Sequence, residues 1–303
     1  MLGINSSFFD KKKIVPYTHI FLDKKTPEHP RIIETAYIEP LKKAQKRILH
    51  YLQEINVPNY LYSGIKGTNF IENGKAHAGN KFIFKIDISK FFPSTSRNKV
   101  YYFFIKKLLV APDIAGILAD LTTVSIPDFS DRNNAIEINE FLKEKNIKQK
   151  AHLMTGSPAS VLLSFLVNEE MFDKLYLFCE SNNILMTVYV DDVVFSSFKP
   201  IPSELRKKIC DTVKSFGYRL SSGKIGYHQK DTAKKITGTV LDKKGCIKTP
   251  NALNHKIHTD LKNFKSHPTE NGRVELLGRV LVANSIDNSF PSLKSALKRP
   301  IKK

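Results

Sequence analysis

Acidic side chains are scarce in this chain of 303 residues: 29 Asp and Glu stand against 48 Lys and Arg, a formal net charge of +19. The shortage is local. Residues 201–303 carry a net +14, and residues 1–200 only +5. Cysteine is scarcer still. Cys179, Cys210 and Cys246 lie far apart with no Cys-x-x-Cys pair, which argues against a disulfide framework and a structural zinc site and suits a reducing cytosol. No apolar run approaches the roughly 20 residues that span a bilayer, and the first residues hold no apolar stretch of a secretion signal. Repeats with a period of about 20–50 residues are missing too, as are low-complexity tracts.

What is present is a chain able to fold. Hydrophobic residues make up 41% of it, with 20 Phe and 11 Tyr, too many for a disordered polycation. A globular, cytoplasmic protein with no membrane partner is expected, and the basic excess points to a polyanion as partner.

Periodicity outlines the elements. Ile38, Leu41, Ala44, Ile48, Leu52 and Ile55 recur at steps of three and four, which predicts an amphipathic helix within 31–55 after a short extended piece. Pro58 and a series of glycines from Gly64 to Gly79 predict a loop-rich stretch. A strand is expected over 81–88, a helix over 96–110, and a polar surface excursion over 125–150 with a short helix at 135–145. One long helix should run from Ser160 to Ser181, followed by a hairpin over 184–197 and a helix over 202–216. Short strands over 219–249 and basic helices from Asn251 complete an α+β chain.

The chemistry gathers in the hairpin. Tyr189-Val190-Asp191-Asp192 sits between two apolar runs. Adjacent carboxylates repel and raise one another's pKa unless something neutralises them. Hard carboxylate oxygens suit Mg²⁺, although Asp also favours ordinary turns. Asp87 ends the apolar run Phe82-Ile-Phe-Lys-Ile, where an unpaired charge is costly to bury. Facing the hairpin, it would complete a three-carboxylate cage for two metal ions, as phosphoryl transfer requires. A third string, Gly156-Ser157-Pro158-Ala159-Ser160, leads into the next apolar helix, with Gly permitting close backbone approach and Pro starting the helix.

In order and spacing these strings resemble the motifs of bacterial reverse transcriptases of the retron lineage. Asp87-Ile-Ser-Lys-Phe-Phe-Pro-Ser, the Gly-Ser-Pro turn and Tyr-Val-Asp-Asp carry the resemblance. Pro40 to Ile48, the stretch from Gly64 through Asn73 and His77, and Ile236-Thr237-Gly238 extend it over about residues 20–290. Leu153-Met154-Thr155-Gly156 stands where the family usually has Leu-Pro-Gln-Gly, so Thr155 offers only a hydroxyl in place of the Gln.

The resemblance implies a right-hand polymerase fold: fingers begun by residues 1–80, a palm of antiparallel sheet and helices over 81–235 with a fingers insertion around 105–160, and a primer grip with a helical, basic thumb over 236–303. It implies DNA synthesis from dNTPs on an RNA template, with Mg²⁺ held at Asp87, Ile88, Asp191 and Asp192. Lys24, Lys25 and Arg31 would meet the triphosphate, Phe92 would exclude a ribose 2′-hydroxyl, and Lys224 would stand near the pyrophosphate. Gly156, Ser157 and Pro158 would line the nucleotide and template track. His77, Tyr189, Thr237, Gly238, Lys256 and Arg279 would contact RNA or primer, and the lysines between 234 and 279 would follow a duplex backbone. The implied partners are a structured non-coding RNA, its RNA–DNA hybrid product and, within phage defence, an effector protein. Two alternatives stay open: a defence or abortive-infection enzyme making untemplated or protein-primed DNA, and an RNA-binding scaffold that restrains an effector.

Overall fold

The computed structural model describes residues 18–23, 31–125, 135–144, 147 and 151–298. In chain order, β1 (Thr18–Asp23) and β2 (Arg31–Ala36) form an antiparallel pair. Helices α1 (Glu39–Leu52) and α2 (Phe70–Ala76) precede β3 (Phe82–Asp87). Then come α3 (Phe91–Ser94), α4 (Arg97–Lys106), α5 (Pro112–Thr122), β4 (Thr123–Ser125), α6 (Ala135–Glu144) and β5 (Ala151–Leu153). Helices α7 (Ser160–Val167) and α8 (Glu169–Glu180) lead into the hairpin of β6 (Leu185–Tyr189) and β7 (Asp192–Ser197). After α9 (Ser203–Ser215) come β8 (Gly226–His228), β9 (Lys234–Ile236), β10 (Thr239–Leu241) and β11 (Ile247–Lys248). Helices α10 (Asn251–Ser266), α11 (Glu270–Asp287) and α12 (Pro291–Leu297) end the described chain, an α+β arrangement as expected.

The centre is a four-stranded antiparallel sheet in the order β6-β7-β3-β8. Side chains alternate between faces along each strand. Phe84, Ile86, Val193 and Phe195 therefore share one face and join the main core with Leu162, Phe165, Phe172 and Leu175 of α7 and α8. Ile83 and Val194 occupy the other face and pack with Ile236 and Leu241 of β9 and β10. Asp87 and Asp192 lie on that second face, because Asp87 is two and four residues from Lys85 and Ile83 and pairs directly with Asp192.

Two smaller cores flank the main one. Ile20, Ile32, Val124, Ile138, Phe141 and Leu142 join β1, β2 and α6, so the helix expected in a polar excursion buries an apolar face. Ile257, Leu276, Val280, Ala283 and Leu297 join the three C-terminal helices. The single helix expected from Ser160 to Ser181 is two helices. Asn168 separates them, its amide donating to the Ser164 carbonyl at 2.8 Å while its oxygen accepts from the Tyr218 hydroxyl at 2.6 Å, a side-chain competition that bends helices. The stretch read as loop-rich contains α2. Its signal is Asn69, an N-cap whose side chain accepts from the Ile71 and Glu72 amides. No helix among the described residues is long and apolar enough to cross a membrane.

Candidate active site

The hairpin brings the three carboxylates together as the sequence predicts. Tyr189 pairs with Asp192, leaving Val190 and Asp191 as a two-residue turn. Val190 has φ +59°, a left-handed backbone that glycine normally supplies in such a turn and that a β-branched residue adopts only under strain. Its amide donates to the Ser63 hydroxyl at 2.8 Å, and Ser63 is itself buried. The Ile88 amide donates to the Asp191 carbonyl at 2.9 Å and ties the turn to the end of β3. Ile88 is wholly buried, so its place at the site is a main-chain one.

Asp87 is buried, and both of its oxygens are engaged. The Ser221 hydroxyl donates to Oδ1 at 2.5 Å and the Lys224 ammonium to Oδ2 at 2.6 Å. Burial and the charges of Asp87 and Asp192 push the Asp191 carboxyl up to about 6. Asp192 is also raised, first by burial and then by Asp87. For Lys224, burial lowers the pKa, but the hydrogen bond and charge of Asp87 outweigh it and the net shift is upward. The site is thus a concentration of negative charge, with Lys224 bonded to Asp87 and the charges of Lys85 and Lys235 also acting on Asp192. Among the described residues no group of three or more His, Cys, Asp or Glu side chains is preformed in metal-holding geometry. The cage expected from the sequence is therefore a juxtaposition of carboxylates, with Lys224 on Asp87 rather than free for a pyrophosphate.

The Gly-Ser-Pro turn meets β2. The Gly156 amide donates to the Glu34 carbonyl at 2.8 Å, and a methyl group on Gly156 would lie 2.6 Å from that oxygen and 2.5 Å from Thr35 Cγ2. Thr155, where the resemblance would expect a Gln, places its hydroxyl on this strand. It accepts from the Glu34 amide at 2.9 Å and donates to the Ile32 carbonyl at 3.2 Å. The buried Glu34 carboxylate in turn accepts from the Thr155 amide at 3.0 Å and lies 2.7 Å from His152 Nε2. Arg31, exposed, begins the same strand, in register with Asp23 of β1. Ser157 is buried and Pro158 exposed. Pro158, Tyr189, Val190, Ser63 and Gly64 share a cavity of about 410 Å³ beside the hairpin. Phe92 is half-buried on α3, while its neighbour Phe91 is core, packed against Phe172 and Tyr218.

Other expected contacts are placed differently. His77 is fully buried, with Nδ1 2.7 Å from Ser196 Oγ and Nε2 2.7 Å from Thr187 Oγ1. It bolts the end of α2 to β6 and β7 and has no face open to RNA. Thr237 and Gly238 form the β9–β10 turn, both with positive φ, and Thr237 accepts from the Asn73 amide at 3.0 Å. Arg279 forms ion pairs with Asp260 at 2.7 Å and Glu275 at 3.6 Å, so its charge is already matched within the helices, whereas Lys256 is exposed. Lys24 and Lys25 lie outside the described residues. Ser63 and Ser221 are the site residues that sequence reasoning missed. Each touches a partner more than a hundred positions away, which no local pattern announces.

The chain matches no protein-family model. It is similar to curated retron reverse transcriptases. With Retron Se72 reverse transcriptase of Salmonella heidelberg (strain 579083-10) it shares 26% identity over 217 residues, 69% of this chain and 51% of that protein. With Retron Ec83 reverse transcriptase of Escherichia coli it shares 24% over 259 residues, 82% of this chain and 77% of that protein. With Retron Mx162 reverse transcriptase of Myxococcus xanthus it shares 23% over 217 residues, 68% of this chain and 43% of that protein. The chain spans about half the length of the first of these and less of the third. Long matches of this kind, together with the ordered carboxylate and Gly-Ser-Pro motifs, make the chain a relative of the retron-type reverse transcriptases.

Proposed function

We propose that the chain is an RNA-directed DNA polymerase of retron type, extending DNA from dNTPs on a cognate structured non-coding RNA. One observation carries the reading: Asp87 and Asp192 are register partners on adjacent central strands, with Asp191 on the turn beside them. In the corresponding right-hand layout residues 1–80 begin the fingers, 81–235 form the palm with a fingers insertion around 105–160, and 236–303 form primer grip and thumb.

Magnesium fits the donor set. The three carboxylates offer hard oxygens, and burial and mutual repulsion raise Asp191 and Asp192, with the nearby lysines compensating only in part. Lys224 now supplies part of that compensation, and its side chain is 60% exposed, free to swing away from Asp87. Bound there, two such ions supply activation of the attacking hydroxyl and stabilisation of the leaving pyrophosphate. The chain's own residues do the rest. Asp87, Asp191 and Asp192 hold the site, and the Ile88 amide fixes the turn. Phe92 closes the space beneath the sugar, so that a ribose 2′-hydroxyl clashes with the ring. Arg31 grips the triphosphate as a bidentate cation, a task the reading shares with Lys24 and Lys25. Gly156, Ser157, Pro158 and Tyr189 border the template, and Thr237, Gly238 and Lys256 the primer and duplex. In the cell the reading places the enzyme in the cytoplasm, in a phage-defence unit with its RNA and an effector protein.

The test is dNTP incorporation by the purified chain on an RNA template with a DNA primer. Asp191→Asn should abolish Mg²⁺-dependent synthesis while RNA binding persists; full activity of that variant overturns the assignment. Sequencing of co-purified nucleic acid separates the retron type from its rivals. A branched RNA–DNA hybrid supports it, and DNA with no RNA counterpart favours untemplated synthesis.

A further inference from the structure

At the end of the central sheet opposite the carboxylates, lysines converge. Lys81 precedes β3, Lys230 follows β8, Lys234 begins β9, and Lys243 and Lys244 follow β10. These side chains, with Asp231 as the one acidic residue among the lining, surround a cavity of about 350 Å³. Strand β3, six residues long, separates this cavity from Asp87, a span of about 20 Å at the usual rise per residue.

The cavity is built rather than incidental. Its floor is the contact of two loops: the Gly79 amide donates to the Gly245 carbonyl at 3.1 Å, and a methyl on Gly245 would lie 3.1 Å from the Gly79 backbone. Both glycines have φ near +80°, at +84° and +80°, which other residues rarely adopt. The contact brings Lys81, Lys243 and Lys244 to the lining of one cavity. Lys234 is 1% exposed, and its ammonium donates to the Thr232 carbonyl at 2.9 Å. Burial lowers its pKa, and the charges of Asp231 and Asp242 offset only part of that. Lys81, Lys230 and Lys243 have no ion-pair partner among the described residues. Lys81, Lys230, Lys243 and Lys244 are exposed around one hollow, so a polyanion entering it meets several ammoniums at once.

The lining also selects the kind of anion. It holds no aromatic or aliphatic anchor, and lysine is depleted where protein partners bind. Lysine ammoniums act as point charges on flexible stems, which suit phosphates whatever the base sequence. We propose that this lysine cleft is a second nucleic-acid site, taking backbone phosphates of the folded RNA far from the carboxylates and anchoring the RNA body while another stretch of it is copied. The assignment of RNA rests on the polymerase reading above.

The test uses the double variant Lys81→Gln, Lys230→Gln, two exposed side chains with no part in the carboxylate site. Equilibrium binding of a labelled RNA hairpin is measured across salt concentrations, alongside primer extension at saturating template. The expected result is weaker binding and a log–log salt slope smaller by roughly one to two, one for each phosphate that a lysine no longer neutralises, with extension at saturation unchanged. An unchanged slope overturns the proposal. So does a parallel loss of extension at saturation, which would make the cleft part of the catalytic site, and so does equally tight binding of poly-glutamate to the unmodified chain, which would make an acidic protein the partner. If the unmodified chain binds RNA with the larger slope but extends no primer, the polymerase reading fails and the cleft stands.

Discussion

Val190 is the residue on which the carboxylate turn bends, and its left-handed backbone is held from outside by the Ser63 hydroxyl. Strain of this kind costs on the order of 1–3 kcal/mol and persists only where the surroundings enforce it. Ser63→Ala should leave the Val190 amide without its partner and cost about 1–3 kcal/mol of stability. Because Asp191 follows directly, kcat should fall more than the KM for dNTP, and Ser63→Thr, which keeps the hydroxyl, should recover most of the rate. Urea unfolding with steady-state kinetics checks this; a stability loss with kcat intact would show that Ser63 only packs. The carboxylates themselves were legible in the sequence, because two adjacent Asp in an apolar hairpin conflict with folding unless they serve something. Ser63 was not legible, since its partner is 127 positions away.

Strand β2 and the Gly156 turn show the same division at the scale of elements. Each was visible locally: β2 as a short extended piece, the turn as a Gly-Ser-Pro helix start. Their junction was not visible, because it depends on Thr155 placing its hydroxyl on the β2 backbone instead of offering a Gln to a ligand. The split at Asn168 escaped for a related reason, since the Tyr218 hydroxyl that fixes it comes from fifty positions downstream. Gly156→Ala should drive a methyl into the Glu34 carbonyl and Thr35, which at overpacked sites costs about 1–3 kcal/mol. The strand would have to retreat and carry Arg31 with it. The expected outcome is lowered stability in urea and a raised KM for dNTP at nearly constant RNA affinity. A KM equal to that of the unmodified chain would show that Arg31 does not reach the triphosphate.

Across the whole molecule two buried groups pull stability in opposite directions with pH. Burial holds His77 down to about 3, so below about 6.5 the unfolded chain binds a proton that the native protein refuses. Stability should therefore fall as pH drops from about 6.5 toward 3, by up to about 1.4 kcal/mol per pH unit. His77→Gln should remove that part of the slope, as acid unfolding series in urea can show. Asp191 acts with the other sign. Its carboxyl is raised to about 6, so the native protein holds a proton that the unfolded chain has lost, and stability declines as pH rises from about 4 through 6. At pH 7 without divalent cation, Asp191→Asn should thus be more stable than the unmodified chain, by on the order of 1–3 kcal/mol, and the gap should close as pH falls toward 4. Adding Mg²⁺ at pH 7 should reverse the order, because a cation that binds only the native carboxylates stabilises the unmodified chain by mass action and leaves the variant nearly unchanged. Thermal unfolding of both proteins with Mg²⁺ or with a chelator measures the crossing. If the order is the same in both buffers, the carboxylates hold no metal, and the charge they concentrate is answered by the lysines around them, Lys224, Lys85 and Lys235.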